Sequence, residues 1–324
     1  MDSHDARRQV APEPEYIHIV GYYREPLQSP LALTRTSVNT VKELLGETEV
    51  SPKGISLSAD ALAPVMPTTE WQRLEAEEFS LSRENLNLLG TQLEDDLASV
   101  DSNLRHVMLL RERRGAARLR VFDYMWCFTY ESESPYACDQ YDAQAMLSLR
   151  ADYFRDEPVA TRFSDRSRAA VMVRRVIEAM AAAGDLYYGL VTCTPYREDG
   201  GGMCYYNLGG ASNVSNLRFQ VEHELWNDLG PVRRQKVRGI YWGQYLSRWH
   251  VEQLGGMDRF REGFMKVAGS RSGSESFVRE LPEGGVFVKL TAEPLNYSIG
   301  GLGVPCGDVG AWLYRTFRQA NLLP

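Results

Sequence analysis

SFVRELPEGGVFVKLTAEPL, residues 276–295, consists of two β-branched and aromatic runs broken at Pro282-Glu283-Gly284-Gly285. Proline presets a turn dihedral and glycine accepts positive φ, so the stretch predicts a hairpin, and a hairpin joins antiparallel strands. Upstream, EYIHIVGYY (15–23), RLRVFDYMWCFTYES (118–132) and LYYGLVTCTPY (186–196) have the same strand-like composition. Between them lie helical patterns. LTRTSVNTVKELLG (33–46) reads as a helix ended by Gly46. In RSRAAVMVRRVIEAMAAAG (166–184), Val173, Val176, Ile177 and Met180 recur at helical spacing, and Gly184 is placed to supply a left-handed C-terminal turn. Asp308 is expected to cap a last helix in which Leu313, Thr316, Phe317 and Ala320 share a face. Helices interleaved with hairpin-joined strands indicate an α+β fold, a mainly antiparallel sheet packed with helices.

The region before residue 115 reads as an acidic helical portion. Thr69-Glu70-Trp71-Gln72 after Pro67 fits a capping box opening a short helix. Leu86, Leu89, Leu93, Leu97, Val100, Leu104 and Val107 then step by threes and fours, which predicts a long helix over about 84–114. With 324 residues and 44% apolar content the chain can bury a large core. It divides into a flexible tail, 1–14, and a single α+β domain, 15–324, with a possible sub-boundary near 115.

Charge is unevenly distributed. The net charge is −7, yet residues 60–101 alone hold ten acids against two arginines. A second stretch, 131–157, holds seven acids against two arginines. Binding phosphates directly requires a basic face, so this pattern disfavours a nucleic-acid partner. It suits either a solvated surface or contact with a basic protein. Glu75, Glu77, Glu78, Glu94, Asp95, Asp96, Asp139 and Asp142 are the acidic candidates for such a contact, and Trp242 and Tyr245 are the aromatic ones.

No apolar run approaches the roughly 20 residues of a membrane helix, and MDSHDARRQVAPEPEY is not a signal peptide, so a cytoplasmic protein away from membranes is expected. Five cysteines without a CxxC pair suit reduced thiols.

Catalytic patterns are few. HExxH and GxSxG are absent, and GSRSG (269–273) has Arg271 where a nucleophile belongs. DGGGMCYYNLGGASN (199–213) is glycine-rich but lacks phosphate-loop spacing. Glu222-His223-Glu224 on a strand would send His223 to the face opposite the two glutamates, a poor metal site. His250 reads as a hydrogen-bonded structural residue. No cofactor, metal or catalytic residue is assigned, although a small-molecule enzyme built on 199–224 with Cys204 and His223 stays as the alternative.

Four passages, GIYWGQYLSRWHVEQLGG, EGGVFVKLTAEPL, CGDVGAWLYRTF and ANLLP, stand in an order and spacing that resemble the type VI secretion immunity proteins of bacterial polymorphic-toxin systems. The resemblance spans roughly 165–324. It implies a non-catalytic protein that binds and neutralises a cognate toxin. A cytoplasmic site of action then favours a nuclease, whose basic groove the acidic segments would occlude. A secretion-apparatus adaptor is a further alternative, and oligomeric state is left open. Within these motifs VRGIYWGQYL (237–246) reads as a strand running into a helix start at Ser247, Gly239 and Gly243 are expected to permit close backbone approach, and Gly255 and Gly256 are expected to end a helix. Tyr241, Trp242, Tyr245 and Trp249 divide between core packing and a contact surface.

Overall fold

The computed structural model describes residues 15–25, 27, 30–45, 54–57, 106–114, 120–129, 143–154, 167–195, 229–269, 277–282, 284–290 and 307–324. Among the described residues nine strands form one sheet: β1 (Glu15–Tyr23), β2 (Gly54–Leu57), β3 (His106–Arg114), β4 (Arg120–Thr129), β5 (Ala143–Arg150), β6 (Leu186–Pro195), β7 (Gly243–Leu246), β8 (Phe277–Glu280) and β9 (Val286–Lys289). Their order is β2-β3-β4-β5-β1-β6-β7-β9-β8, and each neighbouring pair is antiparallel. The fold is therefore α+β on an antiparallel sheet, with the expected hairpin at β8–β9. The first strand lies in the middle of the sheet, between β5 and β6.

Side-chain alternation divides β1 between two cores. Ile17, Ile19 and Tyr23 face α1 (Pro30–Leu45) and α2 (Arg168–Ala183), where they meet Leu33, Val41, Val173, Val176, Ile177 and Met180. Val20 and Tyr22 face the other way, into a core shared with Phe260, Phe264, Leu313 and Phe317. Those four come from α4 (Met257–Ala268) and α5 (Gly307–Gln319), which follow the short α3 (Arg248–Gln253). Helices thus cover both faces. Each large apolar side chain removed from water contributes roughly 1.5–3 kcal/mol, so the two layers outweigh any single polar contact in the fold.

Local chemistry explains most boundaries. α1 begins at Pro30, three residues before the expected start, because proline lacks only an N–H that the first helical position leaves unused. Ser167 caps α2, its hydroxyl accepting from the Ala170 N–H at 3.1 Å. Gly255 (φ 93°) and Gly256 (φ 90°) adopt backbone that other residues resist, and they separate α3 from α4 as expected. Gly243 lies where a Cβ would come within 2.9 Å of Val191 Cβ, which bears out its role in close approach.

Four expectations need correction. Residues 106–114 form a strand rather than the end of a long helix, because the run Val107-Met108-Leu109-Leu110 pairs on both sides, with β2 and β4. The remainder of that expected helix, and the capping box at 69–72, lie outside the described residues. Gly184 is extended (φ 175°) instead of left-handed; the absence of a side chain matters there because a Cβ would meet Leu27 Cδ2 at 2.6 Å. Only Gly243–Leu246 of the expected strand 237–246 is strand, and Val237–Trp242 is buried irregular backbone. Asp308 sits inside the first turn of α5 rather than before it, where its carboxylate still meets the positive end of the helix dipole.

Candidate functional site

The acidic contact candidates Glu75, Glu77, Glu78, Glu94, Asp95, Asp96, Asp139 and Asp142 lie outside the described residues, as do the glycine-rich stretch 199–213, Cys204 and Glu222-His223-Glu224. Trp242 and Tyr245 are placed, and their assignment to a contact surface is overturned. They are 1% and 3% exposed, on the α2 side of the sheet with Val191 and Phe287. β7 is an interior strand between β6 and β9, so side chains on either face of it meet a helical layer rather than water. Tyr241 is buried against the opposite core. Trp249 is half-buried, its ring edge-on to His250 at 5.2 Å between centroids.

What the aromatic run surrounds is a buried cation. Arg238 has no exposed surface, and its Nη1 donates to the Tyr22 hydroxyl at 3.2 Å. Tyr22 stacks on Tyr188 at 6.0 Å. Burial acts to lower the guanidinium pKa, but the phenol oxygens of Tyr241, Tyr22 and Tyr188 outweigh it and raise the value above the ordinary one. Burial pushes Tyr241 up to about 12, with Arg238 pulling the other way. This group ties β1 and β6 to the irregular 237–242 segment. Sequence reading missed Arg238, since an arginine between Val237 and Gly239 gives no local sign of burial.

Two histidines are sealed in the fold. His18 on β1 lies between Ser148 on β5 and Thr192 on β6, and all three are buried. Its Nδ1 is 2.8 Å from Ser148 Oγ, while Thr192 Oγ1 has no hydrogen-bond partner. Desolvation lowers the His18 pKa to about 3, so the ring is neutral at ordinary pH. Serine and imidazole at this distance have the chemistry of a nucleophile and its base. Here Ser148 is 2% exposed, and a substrate has no access to it. His250 is the structural residue that the sequence suggests. Its Nδ1 is 2.9 Å from the hydroxyl of Ser247, the residue preceding α3, and burial lowers its pKa to about 4.

Among the described residues no group of three or more His, Cys, Asp or Glu side chains could hold a metal, and no helix is long and apolar enough to cross a membrane. Two open grooves among the described residues lie at the far end of the sheet. One groove of about 720 Å³ runs between α2 and β8, lined by Ala181, Ala182, Arg279 and Leu281 among others. Another, of about 490 Å³, runs between the α3–α4 junction and the hairpin, lined by Val251, Glu252, Met257, Glu280 and Gly284 among others.

No protein-family model matches this sequence, and no curated protein sequence does. Among solved structures, the fold is similar to that of the Pseudomonas aeruginosa T6SS protein PA0821, with a TM-score of 0.54 and 10% identity. The superposition covers 95% of this chain and 73% of that one. At such identity the likeness is one of fold.

Proposed function

We propose that this chain is a type VI secretion immunity protein, which binds a cognate toxin acting in the cytoplasm and blocks it without catalysis of its own. The observation that carries the reading is the fold shared with a T6SS protein over 95% of this chain. The motif resemblance across 165–324 supports it from the sequence side. The toxin is a nuclease in this reading: the acidic segments 60–101 and 131–157 complement the basic groove that holds a nucleic acid.

The test is co-purification of the untagged chain with the product of the adjacent reading frame, followed by nuclease assays on the complex and on the released partner. A stable complex, silent until the partner is freed, supports neutralisation. A partner that remains active when bound overturns it. A large homo-oligomer with no toxin partner would instead indicate an apparatus component, which a T6SS fold also accommodates.

A further inference from the structure

Arg259 and Lys266 on α4 and Arg315 and Arg318 on α5 are exposed, and their side chains make no hydrogen bond or ion pair. They depart from the rest of the described surface. Arg24 is 2.8 Å from Asp185, Arg175 is 2.9 Å from Glu43 and Arg248 is 2.9 Å from Glu252. Helical spacing places the first three cations along one seam. Gly263 of α4 meets Trp312 of α5, where a Cβ would lie 2.7 Å from the indole, and Trp312 also packs on Phe260 and Phe264 at 5.7 and 6.0 Å between centroids. Arg259 and Lys266 stand one turn either side of Gly263, and Arg315 stands one turn beyond Trp312, so they flank that contact on its solvent side. Trp312 is itself half-buried. The Arg259 stem is held against Gly255, whose positive φ (93°) and missing side chain leave it room. Glu262 shares the stripe of Arg259 and Lys266 without bridging to either, and the seam keeps an excess of positive charge. Arg318 adds to it from the last turn of α5, where it also meets the negative end of the helix dipole.

We infer that the α4–α5 seam is a docking face for an acidic segment of a partner protein, one that seats a large apolar side chain on Trp312 between its carboxylates. The inference goes beyond the toxin-neutralising reading, which uses acidic segments of this chain, and does not depend on it. Charge complementarity carries it. Exposed cations without a counter-charge have no existing ion pair to give up, and a half-buried indole supplies an apolar anchor beside them. No described part of this chain covers the face, since all four cations stay exposed. A nucleic acid fits less well, because its phosphates continue past the four cations onto a chain whose net charge is −7. A second copy brings that same net charge of −7 against its own, which opposes association.

The test uses the full chain at low ionic strength and three end-blocked heptapeptides. One has three glutamates on each side of a phenylalanine, one replaces the glutamates with glutamine, and one replaces the phenylalanine with alanine. The glutamate–phenylalanine peptide is expected to protect Lys266 from acetylation, to bind roughly tenfold more tightly than the glutamine peptide, and to bind several-fold more tightly than the alanine peptide. Combining Lys266→Glu with Arg315→Glu should weaken its binding by roughly tenfold, whereas Arg248→Glu, outside the seam, should leave it unchanged. Arg259→Gln alone should weaken binding several-fold, which keeps the test decisive if the double exchange folds poorly. Equal affinity for the glutamine peptide, no protection of Lys266, or an affinity unmoved by these exchanges would each overturn the inference. So would a short single-stranded oligonucleotide that displaces the peptide from the seam at lower concentration than the peptide itself, or self-association of the chain that the double exchange abolishes. None of these readouts involves the product of the adjacent reading frame, so they stand apart from the test of neutralisation.

Discussion

Arg238 and Tyr22 are 216 positions apart in the chain, yet a 3.2 Å hydrogen bond joins them in the interior. A guanidinium out of water needs its donors occupied, and losing one partner costs more than an ordinary hydrogen bond. Tyr22→Phe removes only the hydroxyl. It should lower stability by about 1.5–3 kcal/mol, the range for bonds to charged groups. Urea unfolding would register this as a lower midpoint at unchanged slope, and an unshifted midpoint would mean that the bond contributes nothing.

Acid should weaken the fold before most carboxylates titrate. Burial lowers His18 to about 3 and His250 to about 4, against 6.5 for a histidine in the unfolded chain. The unfolded state therefore binds more protons throughout that interval. Stability is intact above about pH 6.5 and falls as pH drops, by about 1.4 kcal/mol per pH unit for each ring at full slope. The contribution of His250 levels off near its folded value of about 4, and that of His18 near about 3. Unfolding midpoints from pH 7.5 to 5 should show this decline, and His250→Asn should reduce its slope. Parallel curves for wild type and variant would contradict the assignment.

At the α4–α5 contact, a Cβ on Gly263 would lie 2.7 Å from Trp312 Cζ2. Gly263→Ala should therefore overpack the contact and cost about 1–3 kcal/mol, despite alanine's better helix propensity. Adding Trp312→Leu should recover part of the loss. Additive effects in the double-mutant cycle would show that the two residues are not coupled.

Trp242→Ala should behave as a core truncation, with a loss of about 3–5 kcal/mol. Partner binding measured per folded molecule should be unchanged. Weaker binding by a fully folded variant would return Trp242 to the contact surface.

The acidic segment can be tested apart from the fold. Exchanging Glu94, Asp95 and Asp96 for lysine should slow association with the proposed toxin, most at low salt, where steering is strongest. An unchanged association rate at low ionic strength would remove these residues from the interface.

Much of the sheet was legible because β1, β4, β6 and the β8–β9 hairpin carry strand composition with clear turn signals, and α2 repeats its apolar positions cleanly. The misreading of 106–114 has a physical cause. Leu104 and Val107 extend a helical spacing, but the contiguous apolar run from Val107 to Leu110 also suits a strand with neighbours on both sides, and the pairing with β4 decides between them. Adjacent aromatics such as Tyr241 and Trp242 were ambiguous because composition does not say which layer each faces. They enter opposite cores. Arg238 and the Ser148–His18–Thr192 row could not be read locally, since each is assembled from residues far apart in the chain.

The central place of β1 also sets an order of events during synthesis. Tyr16 pairs with Arg150 on one side and Thr194 on the other. At roughly 5–20 residues per second, both neighbours reach the ribosome exit on the order of ten seconds after β1. During that interval an apolar strand waits with both of its hydrogen-bonding edges open, a condition that invites pairing with the wrong chain. The central strand of the sheet is made first and paired late, so the yield of folded protein should respond to translation speed and chaperone supply.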